Sequence, residues 1–412
     1  MAKIYLIDVT NRDGVQTARL GLSKLAKTMI NMYLNEMGVY QSEFGFPTTK
    51  HESHYLGANL KLQEMGVLQP IHLGGWIRAT VEDVEQTFKL VPDIKDLNLM
   101  ASTSSQMIQG KFLGKKSEED ILMMAMEALD AAKAHGAGSV GLNAEDASRT
   151  DIDFLLRFAS AGKEHGADRF RYCDTLGYDN PLTIYDTGKV LAEKVGMPIE
   201  LHCHGDLGMA VANSVAGAMG VIDGGQDAYI NTTINGIGER AGNADLVAVV
   251  LALKKSKGLE KKYKFGMPVH LSKAWKICKY ASYAFGVPIP INQPGVGVNA
   301  FAHASGIHAD GVLKDPHNYE LYDFKELGRG EPELVETGRE ISSGQYSGIS
   351  GFVHVMGKME IEFANRNEAE EILELVRYAN VLAQKPLVAD ELCFIAQYPD
   401  IARELLTMTP LS

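Results

Sequence analysis

Residues 139–204 read SVGLNAEDASRTDIDFLLRFASAGKEHGADRFRYCDTLGYDNPLTIYDTGKVLAEKVGMPIELHCH, and the rhythm of this stretch decides the fold. Short apolar runs at 139–143, 169–173 and 199–204 alternate with longer helical patterns at 151–165 and 182–195, the order of repeated βα units. Gly166 and Gly196 follow the two helical patterns. A left-handed C-cap favours glycine there because it carries no Cβ.

Working outward, strand-like runs recur at 3–9, 39–44, 71–77, 96–101 and 228–234, and helical patterns at 24–37 and 118–135 stop before Gly38 and Gly136. Eight strands alternating with helices over about 250 residues predict a closed (β/α)8 TIM barrel in preference to an open doubly wound sheet. No GxGxxG follows the first strand, which speaks against dinucleotide binding. Beyond Gly258 the pattern changes to a helical segment at 271–285, a turn-rich 288–295, a glycine-rich 295–311 and a strand-poor helical tail at 367–406. The expected division is a catalytic barrel at 1–265 followed by a smaller, mainly helical accessory C-terminal domain. Within it, 266–330 forms a linker helix and first subdomain, and 331–412 a second.

Lys and Arg number 40 against 52 Asp and Glu, and a net charge of −12 leaves no basic footprint for nucleic acid. Cys173, Cys203, Cys278 and Cys393 form no CxxC pair, so neither a disulfide framework nor a thiolate zinc site is expected. Apolar stretches are broken by charge or glycine before the roughly 20 residues of a membrane span. The N-terminus runs straight into a strand without a signal-like segment. A cytoplasmic protein is expected.

Barrel active sites form at the C-terminal ends of the strands, and polar clusters fall there. Arg12 and Asp13 follow the first strand, Glu43 ends the second, Arg78 follows the third, and Glu145 follows the fifth. Thr175 follows the sixth, His202 and His204 end the seventh, and Glu239, Arg240 and Asn243 follow the eighth. Strand side chains alternate with period two, so His202 and His204 share a face and can share an ion, with Asp13 as a charged third ligand. Such a set suits Mn²⁺, Zn²⁺, Co²⁺ or Fe²⁺, and with water or Asn243 also Mg²⁺. Open positions on the ion would let a carbonyl and its adjacent carboxylate chelate.

Four motifs carry a resemblance: Asp8-Val-Thr-Asn-Arg-Asp-Gly-Val-Gln16, Leu201-His-Cys-His-Gly-Asp206, Gly236-Ile-Gly-Glu-Arg-Ala-Gly-Asn243 and Ser305-Gly-Ile-His-Ala-Asp-Gly311. In this order they resemble the isopropylmalate synthase and homocitrate synthase branch of the DRE-TIM metallolyase superfamily. The resemblance implies that Asp13, His202 and His204 bind a divalent metal, with Asn243 nearby, and that Arg12 contacts the carbonyl of a 2-oxo acid. It places Gln16, Glu43 and Thr175 along the pocket and gives Glu145, His308 and Tyr319 proton transfer. It further implies acetyl-CoA as cosubstrate and a homodimer with shared active sites, the accessory region of one subunit capping the barrel of the other.

Departures from the pattern bear on the substrate. Gly205 and Asp206 replace the usual Asn-Asp pair. Trp76 stands where lysine-pathway homocitrate synthases carry His, and Gly141 where they carry Arg. Gln41-Ser-Glu-Phe44, Trp76-Ile-Arg-Ala79 and Cys173-Asp-Thr-Leu-Gly177 also resemble Re-face citrate synthases. A buried carboxylate needs donors at its distal end, and strand alternation offers two, Arg78 beside Trp76 and Asn143 beside Glu145. The expectation is a Claisen condensation of acetyl-CoA with a dicarboxylic 2-oxo acid, 2-oxoglutarate narrowly ahead of oxaloacetate, with pyruvate and 2-oxoisovalerate behind. A carbon–carbon lyase on the same barrel is the reading from a different class, and a non-catalytic binding protein ranks below it. A long feedback-regulatory domain would need roughly a hundred further residues and is not expected.

Overall fold

Alternation of inward polar and outward apolar side chains sets the strands of the computed structural model, which describes residues 2–332 and 342–407. The strands are β1 (Ile4–Asp8), β2 (Gln41–Gly45), β3 (His72–Arg78), β4 (Asp96–Ser102), β5 (Ser139–Glu145), β6 (Arg169–Asp174), β7 (Ile199–Cys203) and β8 (Ala228–Thr232). They close in chain order into a parallel barrel, β8 returning to β1 with Ile4 opposite Ala228 and Asp8 opposite Thr232. Every residue of β2, β6 and β7 is buried, because one face meets the barrel interior and the other the surrounding helices.

The outer layer comprises α1 (Lys24–Met37), α2 (Ser53–Glu64), α3 (Val81–Leu90), α4 (Ser105–Phe112), α5 (Glu118–Ala134), α6 (Ile152–Glu164), α7 (Pro181–Val195), α8 (Ala210–Asp223) and α9 (Leu246–Lys255). Local sequence sets their ends. The Ser23 hydroxyl accepts from the Ala26 amide at 3.1 Å, and Gly38 closes α1 at φ +83°. α4 is an additional short helix between β4 and α5, started by Ser104, whose hydroxyl accepts from the Met107 amide at 3.1 Å.

After the short α10 (Leu259–Lys262), residues 264–266 return beside β1, where the Ile4 amide donates to Lys264 O at 2.9 Å and the Gly266 amide to Ile4 O at 2.8 Å. α11 (Ala274–Phe285) then packs on α1. α12 (Gly306–Lys314) buries no residue of its own. The accessory region is helical as expected, with α13 (Ile349–Lys358), α14 (Arg366–Ala383), α15 (Ala389–Gln397) and α16 (Pro399–Leu406). Its last helices lie on the barrel's outer layer: Tyr280 Oη donates to Glu391 at 2.7 Å, Tyr33 Oη to Asp390 at 2.6 Å, and Lys61 pairs with Glu404 at 2.7 Å. The four cysteines are free thiols, and among the described residues no helix is long and apolar enough to cross a membrane.

Glycines bring α7 and α8 unusually close. A Cβ on Gly220 would lie 2.1 Å from the Tyr185 carbonyl oxygen, and one on Gly188 3.0 Å from that of Gly217. Backbone cannot yield as a flexible side chain can, so Gly220→Ala should force the helices apart and destabilise the protein by at least about 1–3 kcal/mol. Gly110→Ala, with nothing within 4 Å of its would-be Cβ in α4, should instead be neutral or stabilising by up to about 1 kcal/mol. Thermal unfolding of the two variants measures the contrast; equal midpoints would contradict the close-packing account.

Candidate active site

Asp13 sits just past β1, in a turn whose amides at 12, 13 and 14 all donate to Val9 O, while His202 on β7 and His204 just beyond it point into the barrel mouth. Asp13 Oδ2 lies 3.2 Å from His202 Nε2 and 3.6 Å from His204 Nε2, and the two Nε2 atoms are 3.2 Å apart. Among the described residues this is the one group of three such side chains whose ligand atoms converge within 4.8 Å. All three are about nine-tenths buried or more. Burial alone would raise the Asp13 pKa, but the Arg12 guanidinium at 3.5 Å and the histidines hold its carboxyl well below the usual range. Burial and neighbouring His202 lower His204 to about 3, so its imidazole is neutral and able to bind a cation.

The surroundings fit a divalent ion. Asn243 Nδ2 donates to Asp13 Oδ2 at 3.0 Å, and its Oδ1 is buried with no partner, a spare oxygen beside the ligand group. Gly238 makes room for it, since a Cβ there would lie 1.8 Å from that oxygen. The bond from Asn243 aligns with the backbone pairing of His204 and Asn243, so the β8 loop is fastened to the end of β7 at this point. Gly205, a departure from the family pattern, packs in the same place, its amide donating to Gly242 O at 2.8 Å. Asp206 pairs with Arg240 at 2.9 Å.

Asp13, His202, His204 and Arg240 line a cavity of about 260 Å³ together with Arg12, Gln16, Trp76, Met100, Glu145, Arg171, Cys173, Thr175 and Glu239. Glu145 is held at one oxygen: Oε2 accepts from Ser102 Oγ and, at 2.5 Å, from Lys111 Nζ on α4. Arg12 donates through Nε to Glu43 at 2.6 Å and stacks 5.4 Å from the Trp76 ring. Thr175 accepts from the Asp146 amide at 2.8 Å.

Other expected residues are placed differently. Glu43 does not line the cavity; it is wholly buried beneath Arg12, also bonded to Arg171 at 2.7 Å and Asn98 at 2.7 Å. Burial would raise its pKa, but the two guanidiniums bring it down to about 2. Arg78 is turned away from the ligand group. Thr80 caps α3 and sets Asp83 close behind β3, and Asp83 accepts from Arg78 Nε at 2.9 Å and Nη2 at 2.5 Å. Arg78 therefore lines an adjoining recess with Phe46 and Gln86, and Trp76 forms the wall between the two spaces. Asn143 is fully buried with both amide atoms unpartnered, and it too is absent from the cavity lining. His308 and Tyr319 stack on each other at 4.2 Å in the accessory region, away from this chain's own cavity.

Sequence reasoning missed Arg171, Ser102 and Lys111. The signal for Arg171 was present, an arginine at i−2 from Cys173 in the same strand and so on the same face. Nothing local marks Ser102 or Lys111, whose meeting with Glu145 joins residues 43 and 34 positions apart.

Comparison with known proteins agrees with this geometry. Residues 3–276 match the HMGL-like family and residues 296–382 the homocitrate synthase post-HMGL domain-like family. The chain is 68% identical over 412 residues, 100% of its own length and 99% of the relative's, to a citrate (Re)-synthase of Dehalococcoides mccartyi. It is 37% identical to 2-isopropylmalate synthase 2 of Caldanaerobacter subterraneus, covering 97% and 96% of the two chains. With homocitrate synthase 1 of a Nostoc species it shares 32%, covering 95% and 96%. A barrel carrying an Asp-His-His group at its mouth, followed by the post-barrel region of these synthases, places the chain in the DRE-TIM superfamily, among the enzymes that condense acetyl-CoA with 2-oxo acids.

Proposed function

We propose that this protein is a Re-face citrate synthase, joining acetyl-CoA to oxaloacetate and releasing citrate and CoA. The observation that carries the reading is identity of 68% along the entire chain to a protein of that name. Oxaloacetate thereby replaces 2-oxoglutarate as the first-ranked acceptor. The charge of the interior supports a dicarboxylate. Arg12, Arg169 and Arg171 balance Asp13, Glu43 and Glu200, so a divalent ion would leave two positive charges for a dianionic acceptor to offset.

A divalent ion on Asp13, His202 and His204 would polarise the ketone of the oxo acid and offset charge on the alkoxide that forms from it. Arg12, fixed through Nε by Glu43, directs its remaining N–H groups to the same developing charge. Glu145 offers Oε1, the oxygen that Ser102 and Lys111 leave free, to take a proton from the acetyl methyl group. The carbanion attacks the ketone carbon, the alkoxide so formed takes up the proton that Glu145 removed, and water then cleaves the thioester to a carboxylate and the CoA thiol. Gln16, Thr175 and Trp76 shape the acceptor pocket. Arg171, which lines the cavity, takes the distal-donor role for which Arg78 is unsuited. His308 and Tyr319 reach the mouth of a second copy, whose own pair serves in return.

Three measurements test this. CoA release with a panel of oxo acids should be fastest with oxaloacetate, and the extra methylene of 2-oxoglutarate should cost about 10–200-fold in kcat/KM; faster turnover of 2-oxoglutarate, pyruvate or 2-oxoisovalerate would refute the assignment. Chelation, or His204→Ala, should lower turnover at least about 100-fold, since Lewis-acid stabilisation is worth several kcal/mol at about 1.4 kcal/mol per tenfold. Circular dichroism should stay unchanged. Mixing inactive Arg12→Ala with inactive His308→Ala should restore about a quarter of wild-type activity, as half of the dimers are mixed and each has one intact site. Verified mixed dimers that stay inactive would mean that each chain completes its own site.

A further inference from the structure

The two histidines of the ligand group are not held alike. His204 Nδ1 is buried without a partner. His202 Nδ1 lies 3.0 Å from the side-chain oxygen of Asn231 on β8, and Asn231 Nδ2 donates to Glu200 Oε1 at 2.6 Å. Glu200 is fully buried and carries a guanidinium on each oxygen, Arg169 Nε at 2.8 Å on Oε2 and Arg171 Nε at 2.6 Å on Oε1. A carboxylate so placed only accepts. The amide nitrogen of Asn231 must therefore face Glu200, and the amide oxygen must face His202.

An oxygen opposite Nδ1 requires that nitrogen to carry the proton, which leaves Nε2 with its lone pair directed at Asp13 and His204. We infer that Glu200 and Asn231 are positioning residues that lock His202 in the Nδ1–H tautomer, making it the pre-set ligand of the metal group. His204, free at Nδ1, adjusts to whatever ion and substrate arrive. Period two along β7 puts Glu200 directly below His202 on the inward face, and β8 inserts Asn231 between their polar ends. The relay thus transmits orientation from the arginine-clamped middle of the barrel to its mouth. A ligand histidine that lacks such a partner spends binding free energy on choosing its tautomer and ring angle, a loss typically of about 10–100-fold in affinity.

The inference rests on Asp13, His202 and His204 being the ligands, and Co²⁺ titration of the metal-stripped full-length chain separates the two claims. Wild type should bind Co²⁺ with the visible band of a nitrogen- and oxygen-ligated ion; no binding would overturn the ligand assignment and the inference with it. Asn231→Ala should weaken Co²⁺ about 10–100-fold. Asn231→Asp, which retains an oxygen opposite Nδ1 but can face Glu200 only as the protonated acid, should recover part of that loss. An alanine variant that unfolds cooperatively yet binds Co²⁺ within about threefold of wild type would overturn the relay while leaving the ligands in place. Should that variant not fold, nitrogen NMR of ¹⁵N-histidine-labelled, metal-free wild type decides: His202 should appear protonated at Nδ1, and an Nδ1 without a proton would refute the proposal.

Discussion

Arg171 is almost wholly buried at the centre of the barrel, bonded to Glu43 on β2 and Glu200 on β7, and the organisation of the mouth depends on it. Taking a guanidinium and two carboxylates out of water costs several kcal/mol per ion, and attraction offsets this only when every partner is well placed. Here the placement is multiple. Glu43 also accepts from Arg12 and Asn98, and Glu200 from Arg169 and Asn231. A group with that many bonds has one position. Removing a charged member would leave its neighbours charged and unpaired in a low-dielectric interior, so the network fixes the relative heights of β1, β2, β4, β6, β7 and β8.

That rigidity is what the chemistry draws upon. Arg12 receives its orientation from Glu43, and Asp13, the next residue, is held against both histidines. The polar groups form a column inside the strands while Ile, Leu and Val fill the space between strands and helices. Barrel interiors are more often packed with branched apolar side chains. A charged column gives up some apolar packing and gains a mouth whose donors and acceptors are already oriented before substrate arrives.

The glycine at position 141 has its reason in the same column. A Cβ there would lie 2.4 Å from Asn98 Oδ1 and 3.5 Å from Arg169 Nε, so the space that an arginine on β5 would occupy is filled from β4 and β6. Since Gly141 pairs with Arg169 and Asn143 with Arg171 across β5 and β6, positive charge enters the barrel one strand later than in lysine-pathway homocitrate synthases. Arg78 could not replace it because Asp83 claims it from the first turn of α3.

By itself the sequence determined the strands and several of the helices, and it named Asp13, His202 and His204, which the structure brings together. Periodicity and glycine caps located α1 at Lys24–Met37 and every strand within about two residues, because strand alternation and helix caps are local effects written in neighbouring residues. It also placed His202 and His204 on one face, a consequence of two-residue strand geometry that needs no tertiary contact. Only the tertiary structure decided which side chains face the cavity and which support it. Glu43 and Arg78 look equally available in the sequence, yet one is sealed under two guanidiniums and the other turns to Asp83. The relay from Glu200 through Asn231 to His202 spans 31 and 29 positions, and Asn243 reaches Asp13 across 230. Barrel closure brings such partners together, and no local pattern records which of several inward polar groups will meet when the first strand and the last become neighbours.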